Sequence, residues 1–291
     1  MIDYILNNGY QIRISFFLGT FVLMATLESL FPRRKRLMSR VKRWSTNFGI
    51  VIISSFAAHL FLKLLFIGTF VQFASMIKER GWGLFNYFSS YSVDFFGGEW
   101  ALIVKGVIIM DLIIYFQHRL AHSNRYLWAL HKVHHADIDL DVTSGNRFHP
   151  VEILFSLLIK VASIIIWGIH PVAIVIFEVI LNGMAQFNHS NFRFPLWPDR
   201  FFRLIFVTPD FHRVHHSIFI DETNSNYGFN LSWWDYIFGT YRKTPRLGHE
   251  KMEIGLSEYR DTKKLGLVTL LKMPHDRQAF KYIDAKNREK Y

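Results

Sequence analysis

The chain has 291 residues, with 34 Lys and Arg against 23 Asp and Glu, a formal net charge of +11. It contains no cysteine, which excludes disulfides, zinc–thiolate sites, iron–sulfur clusters and thiol catalysis, so any metal must be held by nitrogen and oxygen. Mean hydropathy is +0.15 although 20% of the residues are charged, which indicates that very apolar stretches alternate with polar ones, as in a multi-pass membrane protein.

Two long apolar runs lie in the first third of the chain. Residues 12–31 are just long enough to span a hydrocarbon core, and residues 48–77 allow a tilted span. Between them stands a basic cluster, formed by Arg33, Arg34, Lys35, Arg36, Arg40, Lys42 and Arg43. In this position it is typical of a cytoplasmic loop that contacts anionic membrane lipids, and we expect no nucleic-acid partner.

The remaining elements are an aromatic-rich segment and three further apolar runs. Residues 81–98 mix aromatic residues with glycine and serine, which predicts a segment at the membrane interface. A third run covers residues 100–116, and runs at 151–167 and 172–187 predict a helical hairpin whose turn contains Gly168 and Pro171. The pattern predicts an all-α, multi-pass transmembrane fold.

Eleven of the fourteen histidines fall between residues 118 and 216, and ten of these, all except His170, lie in or beside short motifs. The sequence His-x-x-His-His occurs twice, as His131/His134/His135 and His212/His215/His216, and is accompanied by the pair His118/His122 and by the single residues His149 and His189. Residues three and four apart share one face of a helix, so each copy can direct two or three imidazole nitrogens at one point. The repetition predicts a metal centre.

Membrane topology places these histidines together. If the loop at residues 32–44 is cytoplasmic, successive spans bring all ten to the cytoplasmic side, as a helical, histidine-rich metal-binding cap. One ion uses about four to six ligands, so ten imidazoles predict two ions, and iron, zinc, manganese and copper all accept imidazole. Four nearby carboxylates are candidates for orienting the imidazole N–H groups: Asp111, Glu152, Asp210 and Asp235.

The motifs and their flanking residues resemble the fatty acid hydroxylase/sterol desaturase superfamily. The resemblance covers about residues 100–243 and rests on Asp111-Leu-Ile-Ile-Tyr115-Phe-Gln-His118-Arg-Leu-Ala-His122, Leu127-Trp128-Ala-Leu-His131-Lys-Val-His134-His135, Arg147-Phe-His149-Pro150-Val-Glu152 and Thr208-Pro209-Asp-Phe-His212-Arg-Val-His215-His216. Asn226-Tyr227-Gly228 and Trp234-Asp235-x-x-Phe238-Gly239-Thr240 are similar to its closing motifs. We therefore divide the chain into an N-terminal membrane region (1–97), a catalytic domain similar to fatty acid hydroxylases (98–243) and a charged cytoplasmic tail (244–291).

The resemblance implies an integral membrane, O₂-dependent oxidoreductase with two iron ions, for which zinc could substitute in a purified sample. Its substrate would be a lipid, either a fatty acyl, sterol-like or ether lipid, that is hydroxylated, desaturated or cleaved. The resemblance implies eight ligands in the three motifs, with His149 and His189 as additions. No haem-binding His-Pro-Gly-Gly element occurs in the sequence, so electrons are expected from a separate protein or a soluble reductant.

Three other functions are compatible with a histidine-rich membrane protein. A metal transporter or trafficking protein would distribute histidines along the depth of its spans, whereas here only His59 lies within one. A zinc-dependent hydrolase needs a carboxylate base, for which Glu152 is available. A bis-histidine haem bundle would need only a few histidines on facing spans.

Overall fold

A computed structural model describes residues 1–65, 67–89 and 97–276. This part of the chain folds into α-helices joined by loops and short 3₁₀ turns, and it contains isolated β-bridges but no β-strand. The helices are α1 (Ile2–Asn7), α2 (Gly9–Leu30), α3 (Arg40–Leu64), α4 (Phe70–Glu79), α5 (Leu84–Ser89), α6 (Glu99–Ser123), α7 (Arg125–His135), α8 (Pro150–Trp167), α9 (Pro171–His189), α10 (Leu196–Phe202), α11 (Pro209–His215), α12 (Ile220–Thr223), α13 (Trp233–Ile237), α14 (Gly248–Lys251) and α15 (Leu267–Lys272).

Four helices, α2, α3, α8 and α9, are long and apolar enough to cross a membrane. The predicted all-α, multi-pass fold is thereby confirmed. The third predicted run lies in α6, which is not one of these four helices. The second run divides at Leu64, where α3 ends and the separate helix α4 follows. Residues 90–96 of the predicted interfacial segment lie outside the described part of the chain.

Helix α9 is the central element of the bundle. It contacts α1, α2, α4, α6 and α11, and its first half is buried among apolar side chains of α4, α6 and α8. Both α8 and α9 begin with a His-Pro pair: the imidazole Nδ1 of His149 and of His170 accepts the backbone N–H two residues on, at 3.2 Å in each case. Gly168 ends α8 with φ of +65°, so the predicted glycine turn of the hairpin is confirmed.

The two ends of the bundle carry different chemistry. At one end, Lys78 of α4 and His170 at the start of α9 both contact the Glu99 carboxylate at the start of α6, at 3.1 and 3.0 Å. The C-terminal ends of α6 and α9 therefore meet at the other end, where His122 and His189 lie. All ten predicted histidines belong to that second end, together with the basic loop between α2 and α3.

Much of the basic cluster forms internal ion pairs. The Arg43 side chain is 1% exposed and pairs with Asp137 at 2.8 Å and Asp141 at 2.5 Å, while Arg147 pairs with Asp137 at 3.3 Å. Burial alone would raise the pKa of Asp137, but the charges of Arg43 and Arg147 lower it to about 2. These ions join the start of α3 to the loop that follows α7.

A second buried carboxylate joins α2 to the same loop. The Glu28 side chain is fully buried and accepts from Arg36 at 3.4 Å and Arg40 at 3.0 Å. Its second oxygen accepts the backbone N–H groups of Val142 at 3.0 Å and Asn191 at 3.1 Å. Arg36 and Arg40, predicted from the sequence to contact lipid, thus also help to fix the end of α2 to the loop that follows α7.

The segment after residue 244 returns to the bundle. Leu265, Leu270 and Met273 are buried in one cluster with Trp128 and Val133 of α7. This segment therefore covers the outer side of the helix that carries the first His-x-x-His-His motif. Residues 277–291, the end of the predicted tail, lie outside the described residues.

Replacing Arg43 with Met should destabilise the protein by about 3–5 kcal/mol, because Asp137 and Asp141 would keep buried charges without their main partner. Lys35→Met is the control, since Lys35 is an exposed member of the same cluster. The melting temperatures of both variants are measured in detergent, from the loss of the monodisperse peak in size-exclusion chromatography on heating. Equal melting temperatures for the two variants would contradict the structural role of Arg43.

Candidate metal centre

Nine buried histidines converge on two neighbouring points. Within each group the candidate ligand nitrogens lie within 4.8 Å of one another. The five-histidine group consists of His118, His122, His131, His135 and His215, and the four-histidine group consists of His134, His189, His212 and His216. The structure thus brings together nine of the ten predicted ligands in two sets, each large enough for one ion.

Each His-x-x-His-His motif contributes to both groups. His131 and His135, four apart on α7, belong to the five-histidine group, whereas His134 points to the other. The second motif reverses this arrangement: His212 and His216, four apart, belong to the four-histidine group, and His215 belongs to the five-histidine group. Rings of different groups lie as close as 4.6 Å between centroids, for His135 and His216. The groups are interleaved, so neither is complete without both motifs.

The hydrogen bonds of the rings determine which nitrogens carry lone pairs. Three rings place Nδ1 2.8 Å from a backbone carbonyl oxygen: His118 with Tyr227, His189 with Ala185, and His215 with Ser225. A carbonyl oxygen only accepts, so each Nδ1 carries the proton and Nε2 of the neutral ring is an acceptor. His131 Nδ1 donates to the Glu152 carboxylate at 2.6 Å in the same way. Four rings therefore present a lone pair from Nε2.

The facing lone pairs fit a cation. His118 Nε2 and His131 Nε2 are 3.1 Å apart, and neither carries a proton that could form a hydrogen bond between them. In the four-histidine group, Nε2 of His189 lies 3.0 Å from that of His134 and 3.1 Å from that of His212. Two nitrogens about 2.1 Å from one ion and at right angles would be about 3.0 Å apart. The spacing matches the edges of a coordination shell.

Unpaired nitrogens give the same indication. Buried ring atoms without a hydrogen-bond partner among the described residues include both nitrogens of His135 and Nε2 of His215. An unsatisfied buried polar atom costs about 1–3 kcal/mol, and several in one place indicate a missing ligand. Metal ions at the two points would satisfy them.

Burial keeps these rings neutral. It lowers the pKa of His134, His135, His212 and His216 well below the ordinary value of 6.5, and the neighbouring imidazoles lower it further. For His215 the pKa falls to about 3, again through burial. A neutral imidazole is the form that binds metal, so at neutral pH the centre is ready for cations without first losing protons.

Of the four predicted carboxylates, Glu152 alone contacts a ring of the two groups. Asp235 acts one step further away: its oxygens accept the N–H groups of Tyr227 at 2.8 Å and Gly228 at 2.6 Å, and the Tyr227 carbonyl holds His118. Burial raises the pKa of Asp235 to about 6. Asp111 instead accepts from the Trp234 indole at 2.8 Å.

The remaining predicted residues lie beside the centre. Asp210 pairs with Arg33 at 3.2 Å and with Arg213, and it contacts no ring of the two groups. His149 belongs to neither group, because its Nδ1 caps α8 and its Nε2 lies 3.2 Å from the Leu271 carbonyl oxygen. Its place next to Pro150 makes it a helix cap.

Sequence reasoning missed the groups that orient the ligands. Backbone carbonyls of Ala185, Ser225 and Tyr227 carry no sequence signal, since any residue supplies one. The ion pairs of Arg43 with Asp137 and Asp141 have a weak signal, an alternating acidic run directly after His135-Ala136.

A cavity of about 270 Å³ opens onto both groups. His118 and His131 of the five-histidine group and His134 of the other border it, and α3, α6, α8 and α9 form its walls. Apolar side chains such as Ile114, Leu181 and Phe229 line much of it. The cavity therefore leads from the candidate metal centre into the bundle of apolar helices, where a hydrocarbon chain could lie.

These features define a class of protein, a multi-helix membrane protein in which two buried groups of histidines, each able to hold a metal ion, lie beside an apolar cavity. Residues 103–240 match the Fatty acid hydroxylase family. The chain is 31% identical over 233 residues to the ornithine lipid hydroxylase OlsE of Rhizobium tropici, covering 79% of this chain and 67% of the relative. It belongs to the fatty acid hydroxylase/sterol desaturase superfamily, so the predicted family is confirmed.

Two other relatives show the range of the superfamily. Methylsterol monooxygenase 2-2 of Arabidopsis thaliana is 24% identical over 254 residues, covering 83% of this chain and 94% of the relative. Alkylglycerol monooxygenase of Xenopus tropicalis is 32% identical over 150 residues, covering 49% of this chain and 30% of the relative. No solved structure matches the chain.

Gly145→Ala should disrupt the four-histidine group. A Cβ at Gly145 would lie 2.2 Å from the Ala185 carbonyl oxygen, which is the atom that holds His189 Nδ1. We expect the metal content to fall by about one ion per chain, measured by mass spectrometry of the purified protein. Gly183→Ala, on α9 two residues before Ala185, is the control, because its nearest new contact is Thr20 at 3.7 Å. Equal metal content in both variants would contradict this role.

Glu152→Gln should weaken metal binding by about tenfold, since the neutral amide no longer stabilises the N–H of ligand His131 as a carboxylate does. Competition with a chelator of known affinity measures the change. Glu253→Gln, at an exposed glutamate, is the matched control. An affinity equal to that of the wild type would show that the 2.6 Å contact does not tune the centre.

Proposed function

We propose that the protein is an O₂-dependent di-iron membrane oxidoreductase that hydroxylates or desaturates a C–H bond of a lipid. The observation that carries the proposal is the apolar cavity bordered by His118, His131 and His134, in which a hydrocarbon chain would reach both histidine groups. The named activities of the relatives support it, because they are hydroxylases and monooxygenases of an ornithine lipid, a methylsterol and an alkylglycerol.

The metal ligands would be the nine histidines of the two groups. Bound iron would supply the reductive activation of O₂ that oxidation of an unactivated C–H bond requires. The chain holds the rings in one tautomer through Glu152 and the carbonyls of Tyr227, Ser225 and Ala185. Fixed tautomers keep the lone pairs on the inner nitrogens, which preserves the shape of both groups before metal and substrate arrive.

Exclusion of water is the second task of the protein. A reactive oxidant must meet the substrate before it meets water, which requires a dry slot. Ile114, Leu181 and Phe229 provide apolar walls at the mouth of the centre. Both groups are buried, with His122, His135 and His216 fully so. The arrangement suits oxidation of an apolar chain better than hydrolysis, which needs water at the metal.

Electrons would come from a separate electron-transfer protein or a soluble reductant. We propose that the metal centre faces the cytoplasm, where such donors are available. Its end of the bundle also carries the basic loop, of which Lys35 and Lys42 are exposed. Exposed positive residues beside spans favour the cytoplasmic side.

Metal analysis and lipid analysis together test the proposed function. Protein produced with iron available should contain about two ions per chain, and His215→Ala should lose mainly the ion of the five-histidine group. A strain with His134→Ala and His215→Ala should lack a hydroxylated or desaturated lipid that the wild-type strain makes under aerobic growth. His59→Ala is the control, because His59 is exposed on α3 and belongs to neither group. Unchanged lipids in the double variant would refute the proposal.

The absence of cysteine permits a direct test of orientation. Lys35→Cys lies at the metal end and Glu79→Cys at the opposite end, and both positions are exposed. We expect a membrane-impermeant maleimide to label Glu79→Cys in intact cells, and Lys35→Cys only after permeabilisation. The reverse pattern would place the metal centre on the other side of the membrane.

A further inference from the structure

The cavity has a polar end far from the histidines. Helix α8 lines it along one face, with Glu152, Ile153, Ser156 and Lys160. Glu152 contacts ligand His131, and Lys160 follows eight residues later, which is about 12 Å along a helix. A lysine on a candidate membrane span thus faces the same cavity as the metal ligands.

Lys160 has no full counter-charge. The nearby carboxylate of Glu178 on α9 already forms an ion pair with Arg13 of α2, and both groups act electrostatically on Lys160. Among the described residues no side chain or carbonyl hydrogen-bonds its ammonium, which lies 5.8 Å from the centre of the Phe70 ring. Two cations therefore share one carboxylate inside the bundle.

An unmatched cation in a membrane span is costly, and it usually marks a binding site. Lys160 could lower this cost by binding an oxygen acceptor supplied from the cavity. Asn182 of α9 also lines the cavity, but its amide is uncharged and one of its two N–H groups donates to the Glu178 carbonyl oxygen at 2.7 Å. This leaves Lys160 as the cation of the far end, with three donor hydrogens directed by a flexible stem.

We propose that Lys160 determines substrate specificity by binding a carboxylate or carbonyl oxygen of the lipid in the cavity. The C–H bond presented to the metal centre then lies about 12 Å along the hydrocarbon chain from that polar group. This inference rests on the proposed function for its use in oxidation, but it assigns a lipid-binding residue that can be tested without turnover.

Binding of three matched probes tests the assignment. Palmitate, methyl palmitate and hexadecane share a chain and differ in the acceptor that they offer. Metal-loaded full-length protein in detergent is assayed without O₂ or reductant, by displacement of tritiated palmitate. Lys160→Met should bind palmitate at least about tenfold more weakly than wild type, because a charge-assisted hydrogen bond is lost. The affinity for methyl palmitate should fall less, and the affinity for hexadecane should not change. Partition of the probes into micelles affects wild type and variant equally, so it cancels in the comparison.

Two further variants make the result decisive. Lys160→Arg keeps the charge and should retain the preference for palmitate. Lys63→Met removes an exposed lysine of α3 outside the cavity lining, and it should leave the affinity for all three probes unchanged. Unchanged palmitate binding in Lys160→Met, or an equal loss for all three probes, would overturn the assignment. Wild type that discriminates the probes but oxidises no lipid would refute the proposed function and leave the binding site intact.

Discussion

The structure depends on holding neutral imidazoles with their lone pairs facing one another. In water such rings would separate or become protonated, yet here the Nε2 atoms of His189 and His212 stay 3.1 Å apart. The protein achieves this by burial, which disfavours protonation, and by hydrogen bonds on the outer side of the rings, which fix the inner nitrogen as an acceptor. The outer acceptors are thus as much a part of the centre as the histidines.

Buried ion pairs fix the loop that follows the first motif to the spans. Asp137, Asp141 and Glu28 fix the loop after α7 to the ends of α2 and α3, and they use arginines from the basic loop to do so. Without these partners the carboxylates would be isolated charges inside the protein. The result is a cap whose position relative to the spans is set by electrostatics as well as by apolar packing.

The sequence predicted much of the fold because the relevant signals are local. Apolar runs, the Gly168 turn and the repeated histidine motif each depend on a few adjacent residues, and the resemblance to a family followed from their order. The sequence could not predict how the histidines divide between two groups, because this division depends on how α7 and α11 face each other. His149 shows the same limit: a histidine before a proline can cap a helix, and only its surroundings show that it does so.

Lys160 illustrates what neither pattern nor motif conveys. In the sequence it is one of several lysines near the membrane, and an ordinary expectation is that its ammonium extends to the surface. Only the packing of α2, α8 and α9 shows that it faces a cavity beside a carboxylate that another cation already occupies.

The interleaved groups also have a consequence for biogenesis. His118 to His135 are synthesised before the α8–α9 hairpin, whereas His189 ends the second helix of the hairpin and the second motif follows it. Neither group can be completed until the hairpin has entered the bilayer and turned back at Gly168. Metal loading of the four-histidine group therefore reports on correct insertion: a chain whose hairpin is misplaced would keep four histidines of the five-histidine group but only His134 of the other.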